Sequence, residues 1–402
     1  MKLRWRALAL CVVAFAAQAQ TDTARPEIGE PLLAAQDLIK ARKFKEALVK
    51  LRDAEAVTDK TDYEWYTLEH TRLSAAIGAK DMNGAARAFE ALDAMGRLSD
   101  ADRLQMLQAI ASGYYRAKEY AHAVAWTQRY LGAGGTNPQM RKLLAQSQYL
   151  SGDVAGAVRE LRAEVLANEK ANTAPAEDRL VLLLTASARR NDDGNYTFAL
   201  ERLLAYYPKK VYWAEMLDRV QRKPGFSNRY ALDVYRLMLA SASMRSADDY
   251  MAMAQLALQA GLAAEARAVL EQGYATQVLG AGEQAGRHRR LRDLARKQSE
   301  QERAGAAAQE AQARTTKDGT ALVNLGFALA LSGQASKGTA LIELGIAQGD
   351  LARPDEVQLR LGQALVLAGQ YAKAVSVLNS VTGKDGATDL ARLWILLSQR
   401  QN

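Results

Sequence analysis

The chain has 402 residues, of which 24% are charged, with a formal net charge of +8 and a single cysteine. One thiol forms no internal disulfide, and zinc sites built on several thiolates are excluded. The positive balance is mild for this length and argues for solubility rather than nucleic-acid binding. At the start of the chain, Lys2, Arg4 and Arg6 precede an apolar run from Ala7 to Ala17. Ala17-Gln18-Ala19 then has the small-x-small form of a signal-peptidase site. This reads as an export signal over 1–19, cleaved after Ala19. The run is too short to cross about 30 Å of hydrocarbon, which takes roughly 20 apolar residues. Cys11 lies inside the run and follows Leu10 rather than a small residue, so it reads as part of the signal and not as a lipidation site. Three of the eight net positive charges leave with the signal, and the mature chain carries +5 and no cysteine. No later stretch approaches a transmembrane span. The expectation is a soluble periplasmic protein, with secretion as the alternative.

Self-similarity organises the rest. Tight turns open at Arg42, Lys80, Lys118, Gly152, Gly194, Gly261, Gly333 and Gly369. Two of the gaps, after Gly194 and after Gly261, are about double the others, which suggests one degenerate repeat hidden in each. Five residues after each opener stands a small residue: Ala47, Ala85, Ala123, Ala157, Ala199, Ala266, Gly338 or Ala374. A minimal side chain at a constant phase is what close helix approach requires. Within the copy at 319–346, Leu322, Leu325, Gly326 and Leu329 follow i, i+3, i+4, i+7, so one helix face is apolar. Alternation suited to half-buried strands is sustained nowhere.

These positions resemble the tetratricopeptide repeat (TPR) family, a helix–turn–helix unit of 34 residues. The copy at 247–273 supplies Tyr250, Met253, Ala254, Ala257, Gly261 and Ala266. The copy at 104–130 supplies Leu107, Ile110, Ala111, Tyr114, Lys118 and Ala123, and the last has Leu361, Gly362, Leu365, Gly369, Ala374 and Leu378. The resemblance covers about residues 28–385 with gaps, and Arg141 and Gln148 depart from its apolar positions. It implies an all-α, right-handed superhelical α-solenoid of antiparallel helix pairs. The expected organisation is an N-terminal block over 20–202, a distorted aromatic-rich repeat over 203–246 and a further repeat over 247–281. A basic, polar helical linker over 282–316, a C-terminal block over 317–386 and a capping helix over 387–402 follow.

Two stretches fall out of phase. Residues 203–239 are aromatic-rich and interrupted by Pro208 and Pro224, and helices are expected at about 210–221 and 228–243. Tyr206, Tyr207, Tyr212, Trp213 and Tyr235 read as local core packing or as an exposed contact surface. Residues 282–316 hold Arg287, Arg289, Arg290, Arg292, Arg296 and Lys297 on an apolar-poor helix, a solvated hinge or a dock for an acidic partner or phospholipid head groups. At the C-terminus, Leu390, Leu393, Trp394 and Leu397 form one stripe suited to capping a stack or to a dimer contact.

No catalytic constellation emerges. His70, His122 and His288 are scattered, and neither an HExxH, a GxSxG nor a Walker loop is present. Asp192, Asp193 and Asn195 around Gly194 fit a repeat turn better than a calcium loop. No cofactor and no metal is expected. The resemblance instead implies a groove lined by the first helix of each pair, taking a peptide or another protein of the cell envelope. Its lining positions fall on Gln105, Gln108, Ser112, Tyr115, Arg116, Lys142, Gln146, Tyr149, Gln255, Gln259 and Gln363. The alternative is a structural scaffold of a trans-envelope system, such as TonB-type energy transduction or polysaccharide export.

Overall fold

A computed structural model describes residues 23–349 and 351–399; the export signal expected over 1–19 lies outside them. All regular structure among the described residues is helical, and successive helices pack in adjacent pairs. The chain divides into two compact units between Ala163 and Glu164.

The N-terminal unit contains α1 (Pro26–Lys40), α2 (Phe44–Glu55), α3 (Asp62–Ala79), α4 (Met82–Ala94), α5 (Asp100–Arg116), α6 (Tyr120–Gly132) and α7 (Pro138–Ser151). α8 (Val154–Lys170) contains the division. The turns form where the sequence places them. Arg42, Lys80 and Lys118 take φ of 58, 63 and 64°, and Gly152 takes 96°. A left-handed conformation costs a non-glycine residue about 1 kcal/mol or more. The cost is offset by returning amides: Lys43 N donates to Leu38 O at 2.8 Å, Asp81 N to Ala76 O at 2.9 Å and Glu119 N to Tyr114 O at 2.9 Å. Each of these satisfies a helix carbonyl that would otherwise lack a donor. The small residues then lie at the contact. Ala47, Ala85, Ala123, Ala157, Ala199, Ala266 and Ala374 are all 0% exposed, and Gly338 is buried. Larger side chains fill the space around them, with Phe89 and Trp126 edge-to-face at 5.4 Å. Burying each such ring stabilises by roughly 1.5–3 kcal/mol.

Polar residues join one repeat to the next. Glu64, fully buried, closes a capping box with Thr61 at the start of α3. The Arg25 guanidinium forks onto the same carboxylate, Nε to Oε1 and Nη2 to Oε2, both at 2.9 Å. Those bonds, with backbone donation from Arg25 and Thr61, bring the Glu64 pKa down to about 2 against the desolvation that would raise it.

The C-terminal unit contains α9 (Glu177–Arg189), α10 (Asp193–Tyr206), α11 (Lys210–Arg222), α12 (Ala231–Ala240), α13 (Ala247–Gln259), α14 (Ala263–Ala275), α15 (Ala285–Thr316), α16 (Gly319–Leu331), α17 (Ala335–Gln348), α18 (Pro354–Leu367), α19 (Tyr371–Leu378) and α20 (Ala387–Gln399). Three features differ from the expectation. The fifth turn opens at Asn191 (φ 53°), whose successor Asp192 donates its amide to Ser187 O at 3.0 Å. Gly194 lies inside α10 instead, and Asp192 caps that helix by accepting from Asn195 N at 3.0 Å. Asparagine tolerates the left-handed region and takes the role read for glycine.

The second difference is α15. The gap after Gly261 holds no degenerate hairpin but one continuous helix of 32 residues, about 48 Å long at 1.5 Å per residue. It packs on α13, α14 and α16. Its Glu302 carboxylate accepts from Ala263 N at 2.9 Å and Ala264 N at 3.2 Å, capping α14 from a separate helix, where a negative charge meets the positive end of the helix dipole. Arg287, Arg289, Arg290, Arg296 and Lys297 are exposed, while Arg292 lies over the Tyr274 ring at 4.5 Å.

The third difference is that the C-terminal helices return onto α12 and the segment joining α11 to it. Lys223 Nζ pairs with Asp389 at 2.8 Å, Ser227 N donates to Asp385 O at 2.9 Å, and Arg229 pairs with Asp385. A simple stack of repeats touches only its neighbours; these contacts join residues 156 and 166 apart. α20 packs on α12, α18 and α19 with its Leu390, Leu393, Trp394 and Leu397 stripe buried. Trp394 is thus enclosed by its own chain and does not present a dimer contact. Helix closeness is greatest between α16 and α17, where a Cβ on Gly326 would sit 2.6 Å from Gly338 O.

In the segment expected to be aromatic and distorted, α11 and α12 occupy the predicted places, with a 3-10 turn over Asn228–Tyr230 between them. Trp213 is fully buried, and Tyr207 and Tyr235 are half-buried. The Tyr207 hydroxyl donates to Pro175 O at 2.9 Å, and that of Tyr212 donates to Glu177 at 2.5 Å. Burial, and then that acceptor, push the Tyr212 phenol up to about 12. Local packing therefore accounts for most of these rings; Tyr206 alone among the five is exposed.

Candidate functional site

Within the N-terminal unit the first helices form a row: α1 touches α3, α3 touches α5, and α5 touches α7. α5 starts at Ser99, whose side chain accepts from Asp102 N, and it ends in the turn at Lys118. α7 starts with Pro138 behind an Asn137 cap, the position where proline's missing N–H is harmless. Met106, Leu107, Ile110, Ala111 and Tyr114 take the buried face of α5. That rotation leaves Gln108, Ser112 and Tyr115 half-buried on the other face, with Gln105 and Arg116 exposed. Lys142, Gln146 and Tyr149 are half-buried on α7.

Direct bonds connect the two helices. Asn137 Nδ2 donates to Gln108 Oε1 at 3.1 Å, and the Tyr115 hydroxyl donates to Gln146 Oε1 at 3.3 Å. Tyr115 also meets the Tyr120 ring edge-on at 5.7 Å. The result is a surface of amide groups around the half-buried Tyr115 and Tyr149 rings, with Lys142 and Arg116 as its cations. Amides of this kind both donate and accept, so they match the alternating groups of an extended peptide backbone.

The remaining candidates do not join this surface. Gln255 is half-buried and Gln259 exposed, both on α13 in the other unit. Gln363 does not face a groove: it is 1% exposed, and its Nε2 donates to Asp233 Oδ1 at 2.9 Å. The return of α18 and α20 toward α12 covers the face on which a simple stack would display it.

That burial exposes a cluster the sequence reading missed. Arg236 forks onto Glu265, Nε to Oε1 at 2.7 Å and Nη2 to Oε2 at 2.8 Å, and its Nη1 donates to Asp233 at 2.9 Å. All three residues are buried. Burial pulls the guanidinium pKa down, but Glu265 and Asp233 more than offset it and hold it above the ordinary value. The guanidinium also lies over the Phe327 ring at 4.8 Å. A signal existed: Asp233 and Arg236 stand at i, i+3 within the otherwise apolar ALDVYRLML.

Among the described residues, no group of three or more His, Cys, Asp and Glu is placed to hold a metal ion. No described helix is long and apolar enough to cross a membrane. No family model matches the chain, and no curated protein matches it.

Proposed function

We propose that the chain is an exported protein of the tetratricopeptide-repeat type that binds a peptide or protein segment of the cell envelope along α5 and α7. The observation that carries this reading is the pair of hydrogen bonds to glutamine side chains linking those helices, Asn137 to Gln108 and Tyr115 to Gln146, on a half-exposed polar face. Such a face is pre-positioned, so a bound backbone does not have to order it. Tyr115 supplies the flat contact area, in line with the enrichment of tyrosine and arginine at binding hot spots.

The test is a photo-crosslinker placed at Gln105 in cells, followed by identification of what it traps. The double variant Tyr115→Ala/Arg116→Ala should lose the trapped species while its far-UV circular dichroism is unchanged. Undiminished trapping by that variant would remove the assignment. Export is tested separately, by the N-terminal residue of the mature protein in a periplasmic fraction; a terminus at Gln20 is expected.

The scaffold reading draws its support from the exposed Arg287, Arg289, Arg290 and Lys297 on α15. Replacing those four by glutamine should then abolish assembly with the envelope partner and leave peptide capture at α5 and α7 intact. Deleting the 387–402 tail does not separate the two readings, because α20 is part of the core of its own unit.

A further inference from the structure

One side of α15 packs on α13, α14 and α16, and His288, Ala295 and Ser299 mark it as buried. At about 3.6 residues per turn, the opposite side carries Arg287, Arg290, Leu294, Lys297 and Gln301, spaced i, i+3, i+7, i+10 and i+14. All five are exposed, and exposed Arg289 flanks them. Leu294 is 44% exposed in the middle of this stripe. Two acids border it, and each sits against another cation: Asp293 is 3.8 Å from Arg292, and Glu300 is 3.5 Å from Arg296. Six cations against two acids leave residues 287–300 with a net +4. Among the described residues, Arg287, Arg289, Arg290 and Lys297 have no acidic partner.

This arrangement works against the helix that carries it. Arg287 with Arg290, Arg289 with Arg292, and Arg292 with Arg296 are like charges at i, i+3 or i+4, a spacing that weakens a helix. Arg287 also stands in the first turn, where the helix dipole is positive and favours acids. That turn holds no acid, and its Gln284 cap makes no side-chain bond. The compensation these charges call for is external to the described chain.

We infer that this side of α15 lies on an anionic phospholipid bilayer. Three of the four free cations are arginines, whose guanidinium groups meet phosphate oxygens in pairs. They stand on a single ridge, about 15 Å long from Arg287 to Lys297. Such a ridge suits a fluid plane of headgroups, which move to the cations; an acidic protein would have to bring a matching trough. Leu294, between Arg290 and Lys297, enters the headgroup layer and adds the apolar contact that interfacial helices combine with charge. Clustered Lys and Arg on a helix surface are the usual footprint of anionic-lipid binding. The inference deepens the scaffold reading, on whose face it rests, and is independent of peptide capture at α5 and α7.

The experiment floats the mature chain with vesicles of phosphatidylcholine alone, or of phosphatidylcholine and phosphatidylglycerol mixed two to one. Binding is expected only to the mixed vesicles, and it should weaken about tenfold or more in high salt, which screens the attraction. The variant Arg287→Gln/Arg289→Gln/Arg290→Gln/Lys297→Gln should lose at least about a hundredfold in affinity, with a thermal melt no lower than wild type. A polarity-sensitive dye on Leu294→Cys, the one thiol of the mature chain, should shift to the blue on the mixed vesicles. Tyr115→Ala/Arg116→Ala should float as wild type does. Equal flotation with phosphatidylcholine alone overturns the inference, as does a dye that does not shift. Tighter capture by polyglutamate than by mixed vesicles of equal charge overturns it in favour of an acidic protein. Full displacement by inorganic phosphate at the lipid's own concentration overturns it in favour of a free anion. If wild type ignores vesicles while the four-glutamine variant still loses envelope assembly, the lipid falls and the scaffold reading stands. Should that variant fail to fold, the lipid comparison and the dye still decide the matter.

Discussion

The two units use the same helix pair in opposite ways. In the N-terminal unit, contacts such as Arg25 to Glu64 and Arg129 to Glu90 join residues 39 apart, about one repeat, and the row α1, α3, α5, α7 keeps a polar face. In the C-terminal unit, α18 and α20 return to α12, and the glutamine that a linear stack would display is bonded to Asp233 inside. One arrangement leaves a surface; the other encloses a buried ion cluster. Repeat identity therefore does not determine what a given lining position does. What determines it is whether the stack stays open or closes on itself.

The sharpest way to break the comparison is at the ion cluster. Arg236→Met leaves Asp233 and Glu265 buried without their cation, a change expected to cost about 3–5 kcal/mol. Urea unfolding should show the loss, and a further change of both acids to apolar residues should recover much of it. Next comes helix closeness. Gly326→Ala puts a methyl against the Gly338 carbonyl oxygen and the Ile342 amide, both backbone atoms, and should cost about 1–3 kcal/mol. Gly113→Ala in the N-terminal unit meets only the flexible end of Met82. Its effect should be near neutral, because methionine adapts and alanine favours the helix by about 1 kcal/mol.

Two glutamines give a finer contrast. Gln363→Ala strips a bond from buried Asp233 and should cost about 1–3 kcal/mol, whereas Gln108→Ala on a half-exposed face should cost about 1 kcal/mol or less. Both are read as shifts in the denaturation midpoint. The smallest effect is acid sensitivity at Glu64. Its folded pKa of about 2 lies below the ordinary carboxylate value, so its ionised form adds stability at neutral pH. That contribution is lost as pH falls from the ordinary value toward about 2. Arg25→Gln should flatten the fall in urea midpoint across that range, and an unchanged acid profile would count against the fork.

Local features of the fold were legible in the residues. Openers at Arg42, Lys80, Lys118, Gly152, Gly261, Gly333 and Gly369 all have positive φ, and the eight small residues are buried. These follow from steric rules acting within about ten residues, which leave a periodic trace. Gly194 misled because Asn191 satisfies the same backbone need three residues earlier. Of the two readings of the gap after Gly261, the polar helix over 282–316 stands as α15 and the degenerate repeat does not; a broken hairpin and a long polar helix have the same propensities. The return of α20 to α12 left no trace at all, since pairing between residues more than 150 apart imposes no spacing. For the same reason the burial of Gln363 and Arg236 was not foreseen: both are polar, and their enclosure depends on distant helices. By contrast, the resemblance places Gln108 and Tyr115 on a first helix, and both lie on α5, bonded to Asn137 and Gln146.

The bond between Lys223 and Asp389 has a consequence for biogenesis. A ribosome adds roughly 5–20 residues per second. The helices that receive α20 therefore emerge roughly 8–30 s before it does, with Arg236 and Asp233 awaiting Gln363 on a nascent chain. Early hairpins of the other unit face no such delay, since each finds its neighbour within one further repeat. Maturation of the second half is thus timed by the last stretch to be translated, and a stalled or shortened product would present an unsealed, charged interior to chaperones and proteases.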